Sequence, residues 1–232
     1  MPALRVWLPT VAALAGIALT MLLGFWQLGR GDEKAAMGER LKSAQTGPVI
    51  AVSADELKVA DVAWRRVETH GHFAADKTVF IDNRVLNGAP GYHVVTPLKI
   101  EGGERYVLVN RGWVAAAADR RTVPQVITPQ GLQHLTGLAI VPSEQQFELS
   151  TRVADGNVWQ NLTISRYRAT VAIPLQPIVI QQSSPAEDGL KREWQPTGPS
   201  PDKNYGYAFQ WFAMAAAILV YYLVTHVRKR SA

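Results

Sequence analysis

Two uncharged apolar stretches bracket this chain. Neither Val6 to Gly29 nor Asn204 to Val227 contains an Asp, Glu, Lys or Arg; the second holds only His226 near its far end. A helix rises about 1.5 Å per residue, so each stretch covers roughly 36 Å against a bilayer core of about 30 Å. Membrane-spanning helices are predicted over 6–29 and 204–227. A cleaved signal peptide has an apolar core of about 7–15 residues and a small-x-small cleavage site. The first stretch is longer and ends in Phe25-Trp26-Gln27-Leu28, so it reads as an uncleaved helix.

Between the two, the pattern turns to strand. Gly31 to Lys42 is charged and extends the first helix, and Thr46-Gly47-Pro48 breaks it. Ser53 followed by Asp55 and Glu56 predicts a short capped helix. Strands are expected at 65–73, 78–83, 92–100, 106–110, 132–141 and 177–181, with turns at 87–91 and 101–104. The unbroken apolar run in 106–110 predicts a strand with both faces covered. A second short helix is read at 163–172 with a hydroxyl cap, and Pro- and Ser-rich 183–201 reads as a linker. The fold class is a membrane protein: two transmembrane helices flank a mainly antiparallel β (α+β) extramembrane domain over 30–203, and a basic cytoplasmic tail follows at 228–232.

Composition narrows the chemistry. The 232 residues carry a net charge of +5, and basic residues do not cluster with aromatics, so nucleic acid is not an expected partner. The absence of cysteine excludes a disulfide scaffold, a thiolate metal site and a Cys nucleophile. His70 and His72 would share a strand face, but no third ligand follows by spacing, so they read as a solvated face. No nucleophile elbow or phosphate-cradling loop occurs, and Asp76, Asp82, Glu144 and Glu148 are scattered. No catalytic residue and no metal ligand is assigned. Arg111, in Asn110-Arg111-Gly112-Trp113, is expected to end a buried strand and to need carboxylate or carbonyl partners.

The ends of the membrane segments carry more information. Trp26, Gln27, Arg30 and Lys34 recur at 3–4 spacing, as do Asn204, Tyr207 and Trp211. In a two-helix hairpin both groups lie at one membrane level. An aromatic belt with a snorkelling Arg accounts for Trp26, Tyr205 and Arg30. The amides Gln27, Asn204 and Gln210 are less well explained, because amides at that depth seek partners. Arg228-Lys229-Arg230 places the termini in the cytoplasm by the positive-inside rule; the cations after the first helix argue the other way, but long loops translocate regardless of charge.

The ordered set Leu23-Gly24-Phe25-Trp26-Gln27-Leu28, Asp82-Asn83-Arg84, Gly91-Tyr92-His93-Val94-Val95-Thr96-Pro97-Leu98, Asn110-Arg111-Gly112-Trp113 and Tyr207-Ala208 with Gln210-Trp211-Phe212 resembles the Surfeit locus protein one (Shy-like) family. The resemblance implies a non-enzymatic assembly factor for haem-copper oxidases of the cytochrome c type, in the bacterial plasma membrane with its domain in the periplasm. It implies haem A as a transient cofactor, and oxidase subunit I, haem A synthase and the lipid bilayer as partners. Trp26, Gln27, Arg30, Asn204, Tyr207 and Trp211 are the candidate haem-binding residues. The family's candidate haem ligand is a histidine just before the Tyr-Ala pair; Asn204 stands at the matching position. The alternative implied role is an adaptor that holds oxidase subunit and synthase together without touching haem.

Overall fold

The computed structural model describes residues 2–117, 122–143, 154–194 and 198–227. The basic tail, Glu144 and Glu148 lie outside the described residues. The chain forms two compact units: Met1–Lys42 with Pro196–Ala232, and Ser43–Gln195.

The first unit is a pair of helices. α1 spans Pro2–Thr46 and α4, the last element of the chain, spans Asp202–Val227. The charged continuation beyond Gly29 is helical, as expected, and α1 stops at Thr46 just before Gly47-Pro48. Both helices are long and apolar enough to cross a membrane, and only 11% of each apolar window is buried. The core helix of a water-soluble protein would be mostly covered, so these exposed apolar faces suggest membrane association.

The second unit is built on strands β1 (Ile50–Ala51), β2 (Arg66–Phe73), β3 (Val79–Leu86), β4 (Ala89–Ile100), β5 (Tyr106–Ala115), β6 (Gln133–Ile140), β7 (Ala154–Asp155), β8 (Val158–Trp159) and β9 (Leu175–Gln182). The short helices α2 (Val59–Val62) and α3 (Ile164–Val171) lie between them. The sheet order is β1-β2-β6-β9-β5-β4-β3-β8-β7, with a further pairing of β2 to β4. That pairing closes β2, β6, β9, β5 and β4 into a barrel. The long β4 does two jobs: its first half pairs with β3, and Leu98 to Ile100 pair with Phe73 to Gly71. Gly71 permits the closure, since a Cβ there would collide with the Lys99 carbonyl oxygen. Pairing is mostly antiparallel, but β5–β9, β3–β8 and β1–β2 are parallel.

The period of two sorts β5 between two cores. Val107 and Val109 join Val67, Leu98, Leu135, Ile178 and Ile180 inside the barrel. Leu108 faces the opposite way and packs with Trp159, Tyr167 of α3 and Val179. Both faces of the strand are therefore covered, as its unbroken apolar run implied. α3 begins where the hydroxyl cap was expected: Thr163 accepts a hydrogen bond from the Arg166 amide at 3.2 Å.

Three expectations change. Residues 53–57 are not helical; α2 starts only at Val59. The buried amide of Gln176 donates to the carbonyls of Ser53 and Asp55 and accepts from the Leu57 amide. That tertiary anchor uses the backbone groups a helix would need. Arg111 does not end β5, which continues to Ala115. And the early part of the expected linker is tied to the barrel. Arg111 is wholly buried and donates to Thr128 Oγ1 (3.0 Å), the Ile127 carbonyl (2.6 Å) and Asp188 Oδ2 (3.0 Å). Arg192 also grips the Asp188 carboxylate, at 2.7 and 2.9 Å, and Phe73 lies 5.1 Å beneath the Arg111 guanidinium.

Two stability outcomes follow. Removing one member of a buried charge pair strands the other, at a cost of about 3–5 kcal/mol. Asp188→Ala is expected to lose that much in urea unfolding of the detergent-solubilised chain, and a loss below about 1 kcal/mol contradicts the role given to the pair. His93 titrates differently. Burial, and secondly the Arg84 charge, push its pKa from 6.5 down to about 4. Between those values the unfolded chain binds more protons, so stability falls as pH drops from about 6.5 towards 4, by on the order of 3 kcal/mol. In His93→Asn that slope should flatten; equal slopes in parent and variant would show that His93 does not govern it.

Candidate functional site

The two helices meet through small residues and a polar node. A Cβ on Gly24 would lie 2.5 Å from the Phe212 ring, and one on Gly31 would lie 2.5 Å from the Tyr205 ring. Glycine at these positions lets aromatic side chains of α4 lie directly on the α1 backbone, the close approach small residues give membrane helices. Thr20, Gly24 and Gly31 of α1 and Ala208 and Ala215 of α4 are buried along this seam. Phe25 packs edge-on against Phe212, with ring centroids 5.3 Å apart, and the Thr10 and Tyr222 hydroxyls are 2.8 Å apart.

Asn204 is the centre of the node. Its Nδ2 donates to Gln27 Oε1 at 2.7 Å, while its Oδ1 accepts from Lys34 Nζ at 2.7 Å. One amide thus joins an amide and an ammonium about two turns apart on α1. Beside it, the Tyr205 hydroxyl donates to Asp32 Oδ1 at 2.9 Å. The amides that the aromatic-belt reading left unexplained are partners of each other, and an amide hydrogen bond in an apolar setting is maintained because water is not there to replace it.

The six candidate residues are distributed as follows. Gln27 and Asn204 are bonded in the node. Trp211 is half-buried on α4. Trp26 (58% exposed) and Tyr207 (52%) face outwards, and Arg30 is exposed with Glu33 at 2.8 Å. Tyr207 therefore lies off the seam that holds Asn204. Lys34 completes the node; it lies four residues from Arg30 and seven from Gln27, on the stripe that the spacing grouped. Away from the helices, His70 stacks on His134 across β2–β6 at 4.2 Å, and His72 is exposed on the same strand face. Among the described residues no group of three or more His, Asp or Glu is placed to hold a metal ion.

A closed β-barrel domain encoded between two helices long and apolar enough to cross a membrane defines the class of protein. The sequence model of the SURF1 family matches residues 14–216, and the chain belongs to that family. A SURF1-like protein of Rickettsia bellii is 25% identical over 221 residues, covering 92% of this chain and 89% of the relative. One from Rickettsia felis is 24% identical, covering 92% and 95%. A SURF1-like protein of Dictyostelium discoideum is 31% identical over a shorter 103 residues, 40% of this chain and 38% of the relative.

The seam yields a test. The chain has no cysteine, so an introduced pair reports cleanly. Cysteines at Thr10 and Tyr222, joined by a short bismaleimide, should cross-link readily. Gly24→Val is expected to cut the yield several-fold, whereas Gly29→Val, where nothing lies within 4 Å of an added Cβ, should leave it unchanged. Equal yields would show that the seam does not depend on Gly24.

Proposed function

We propose that this protein is an assembly factor for a haem-copper terminal oxidase of the cytochrome c type, and that it holds haem A for insertion into oxidase subunit I. It acts without catalysing a reaction. It sits in a bacterial plasma membrane with the barrel in the periplasm and both termini in the cytoplasm, near haem A synthase. Membership of the SURF1 family supports the reading. The observation that carries it further is the Gln27–Asn204–Lys34 node, a polar knot with a cation at the edge of two apolar helices.

Haem A combines a flat apolar ring, a farnesyl tail and two propionates. The outward indole and phenol of Trp26 and Tyr207 offer flat apolar surface for the ring, with Trp211 beside them on α4. Arg30 and Lys34 offer charge-assisted hydrogen bonds to propionates. The exposed apolar helix faces match the tail. Asn204 does not supply an axial ligand: an amide is a poor ligand for haem iron, and both ends of this one are bonded to side chains. That same engagement of Asn204 in helix pairing supports the second reading, an adaptor that brings oxidase subunit I and haem A synthase together without binding haem.

Titrating haem A into the detergent-solubilised protein separates the two. The haem-holding reading expects a saturable absorbance change that Arg30→Ala and Trp211→Ala weaken several-fold. If both variants bind like the parent, the assigned residues are wrong. If no haem binds, yet a strain lacking the gene loses its haem A oxidase absorbance, the adaptor reading stands.

A further inference from the structure

Asp82-Asn83-Arg84 and Asn110-Arg111-Gly112-Trp113 are separate in sequence and play no part in the helix node. In the β-domain the two segments line one cleft of about 430 Å³, a size typical of small-ligand sites. Its construction is unusual. β3 carries a bulge between Ile81 and Arg84, and Asn83 there adopts a left-handed φ of 58° while its amide donates to Asp82 Oδ1. A bulge re-aims the side chain that follows it. The Trp113 indole N–H donates to the Arg84 carbonyl at 2.7 Å and fixes the bulge. Gly91 leaves room for that indole, since a Cβ would come within 2.5 Å of it. Backbone hydrogen bonds in both directions between Trp113 and Lys191 then bring the stretch that carries Trp194 across the opening.

The chemistry of the cleft is incomplete. The Nε of Arg84 is buried and has no hydrogen-bond partner among the described residues. The Nε of Arg111 is likewise unmatched, but its two terminal nitrogens reach a hydroxyl, a carbonyl and a carboxylate. A planar fork of five donors matches a carboxylate; Arg84 is half-buried, with the Asp82 carboxylate near enough to offset part of its desolvation. Lys191 adds a second cation, 5.7 Å from the Trp113 ring centroid. His93 contributes no charge at neutral pH, because burial and the nearby Arg84 keep its pKa at about 4. Its Nδ1 lies 3.3 Å from the Asn110 amide, and Trp194 stands edge-on to its ring at 5.6 Å. Glu193 lines the same cleft, where its carboxylate accepts from the Asn87 amide at 3.2 Å.

We propose that this cleft is a recognition site for a carboxylate carried on a flat apolar group, with Arg84 as the primary anchor, Lys191 as the second cation and Trp113 and Trp194 as the apolar walls. The carboxylate belongs either to a small molecule or to an acidic side chain beside an aromatic one in a partner chain. The cleft lies in the β-domain, away from the helix residues given to haem A, and its test uses no haem.

Isothermal titration of the detergent-solubilised full chain tests it with two probe pairs. Indole-3-acetate against indole-3-acetamide reads a small-molecule source; acetyl-Phe-Glu-amide against acetyl-Phe-Gln-amide reads an acidic side chain. At least one carboxylate probe is expected to bind saturably and at least about tenfold more tightly than its neutral partner, which removes micelle partitioning as the cause. The tighter pair identifies the source. Arg84→Gln should abolish the difference within the pair, Lys191→Gln should shrink it a few-fold, and Glu193→Gln should tighten binding by relieving repulsion. Lys191 and Glu193 are exposed, so their variants test the site even if Arg84→Gln unfolds. The proposal is overturned if neither carboxylate probe outbinds its neutral partner, or if Arg84→Gln and Lys191→Gln both leave the difference intact.

Discussion

The charge cluster of Arg111, Asp188 and Arg192 is the constraint on which most of the β-domain depends. It lies where a barrel strand meets a segment with little regular structure of its own. Burying a guanidinium and a carboxylate together is costly unless their hydrogen bonds are made, and here Thr128, Ile127 and Leu190 supply most of them. The consequence reaches beyond stability. By holding Asp188, the cluster brings Lys191 into register with Trp113 and sets Trp194 against His93. The cleft therefore inherits its shape from a charge pair that does not line it.

The helix unit follows a different logic. Helices that pair in lipid have no comparable hydrophobic drive and rely on packing and polar bonds, and both kinds of contact are found here. Glycines at positions 24 and 31 provide the packing, and Asn204 provides polar bonds to two α1 side chains. A histidine in place of Asn204 would have a different shape and donor set from an amide that both donates to Gln27 and accepts from Lys34. Asn204 thus bears directly on how the two helices pair.

Local pattern made the strands readable where burial and alternation were strong. β5 disclosed its two covered faces through Tyr106 to Asn110, and Thr163 disclosed the start of α3. Residues 53–57 misled because their capping signal was genuine but Gln176, more than a hundred positions away, claims the same backbone groups. Asp188 was invisible as a partner of Arg111 for the same reason: 77 residues separate them. For the helix node, spacing grouped Gln27 with Lys34 and flagged the amides as needing partners. It did not reveal that Tyr207 turns away from Asn204, because a 3–4 stripe is broad enough to include both the seam and its margin.

Closure of the barrel has a consequence for how this domain meets other proteins. Joining β2 to β4 leaves the two-residue strands β1 and β7 as the ends of the sheet order. A long open edge invites a foreign strand to add to the sheet, in recognition and in aggregation alike. Such short ends offer little backbone to template that addition. Encounters with the barrel are then weighted towards side chains on its faces and clefts, which discriminate in a way that main-chain pairing does not.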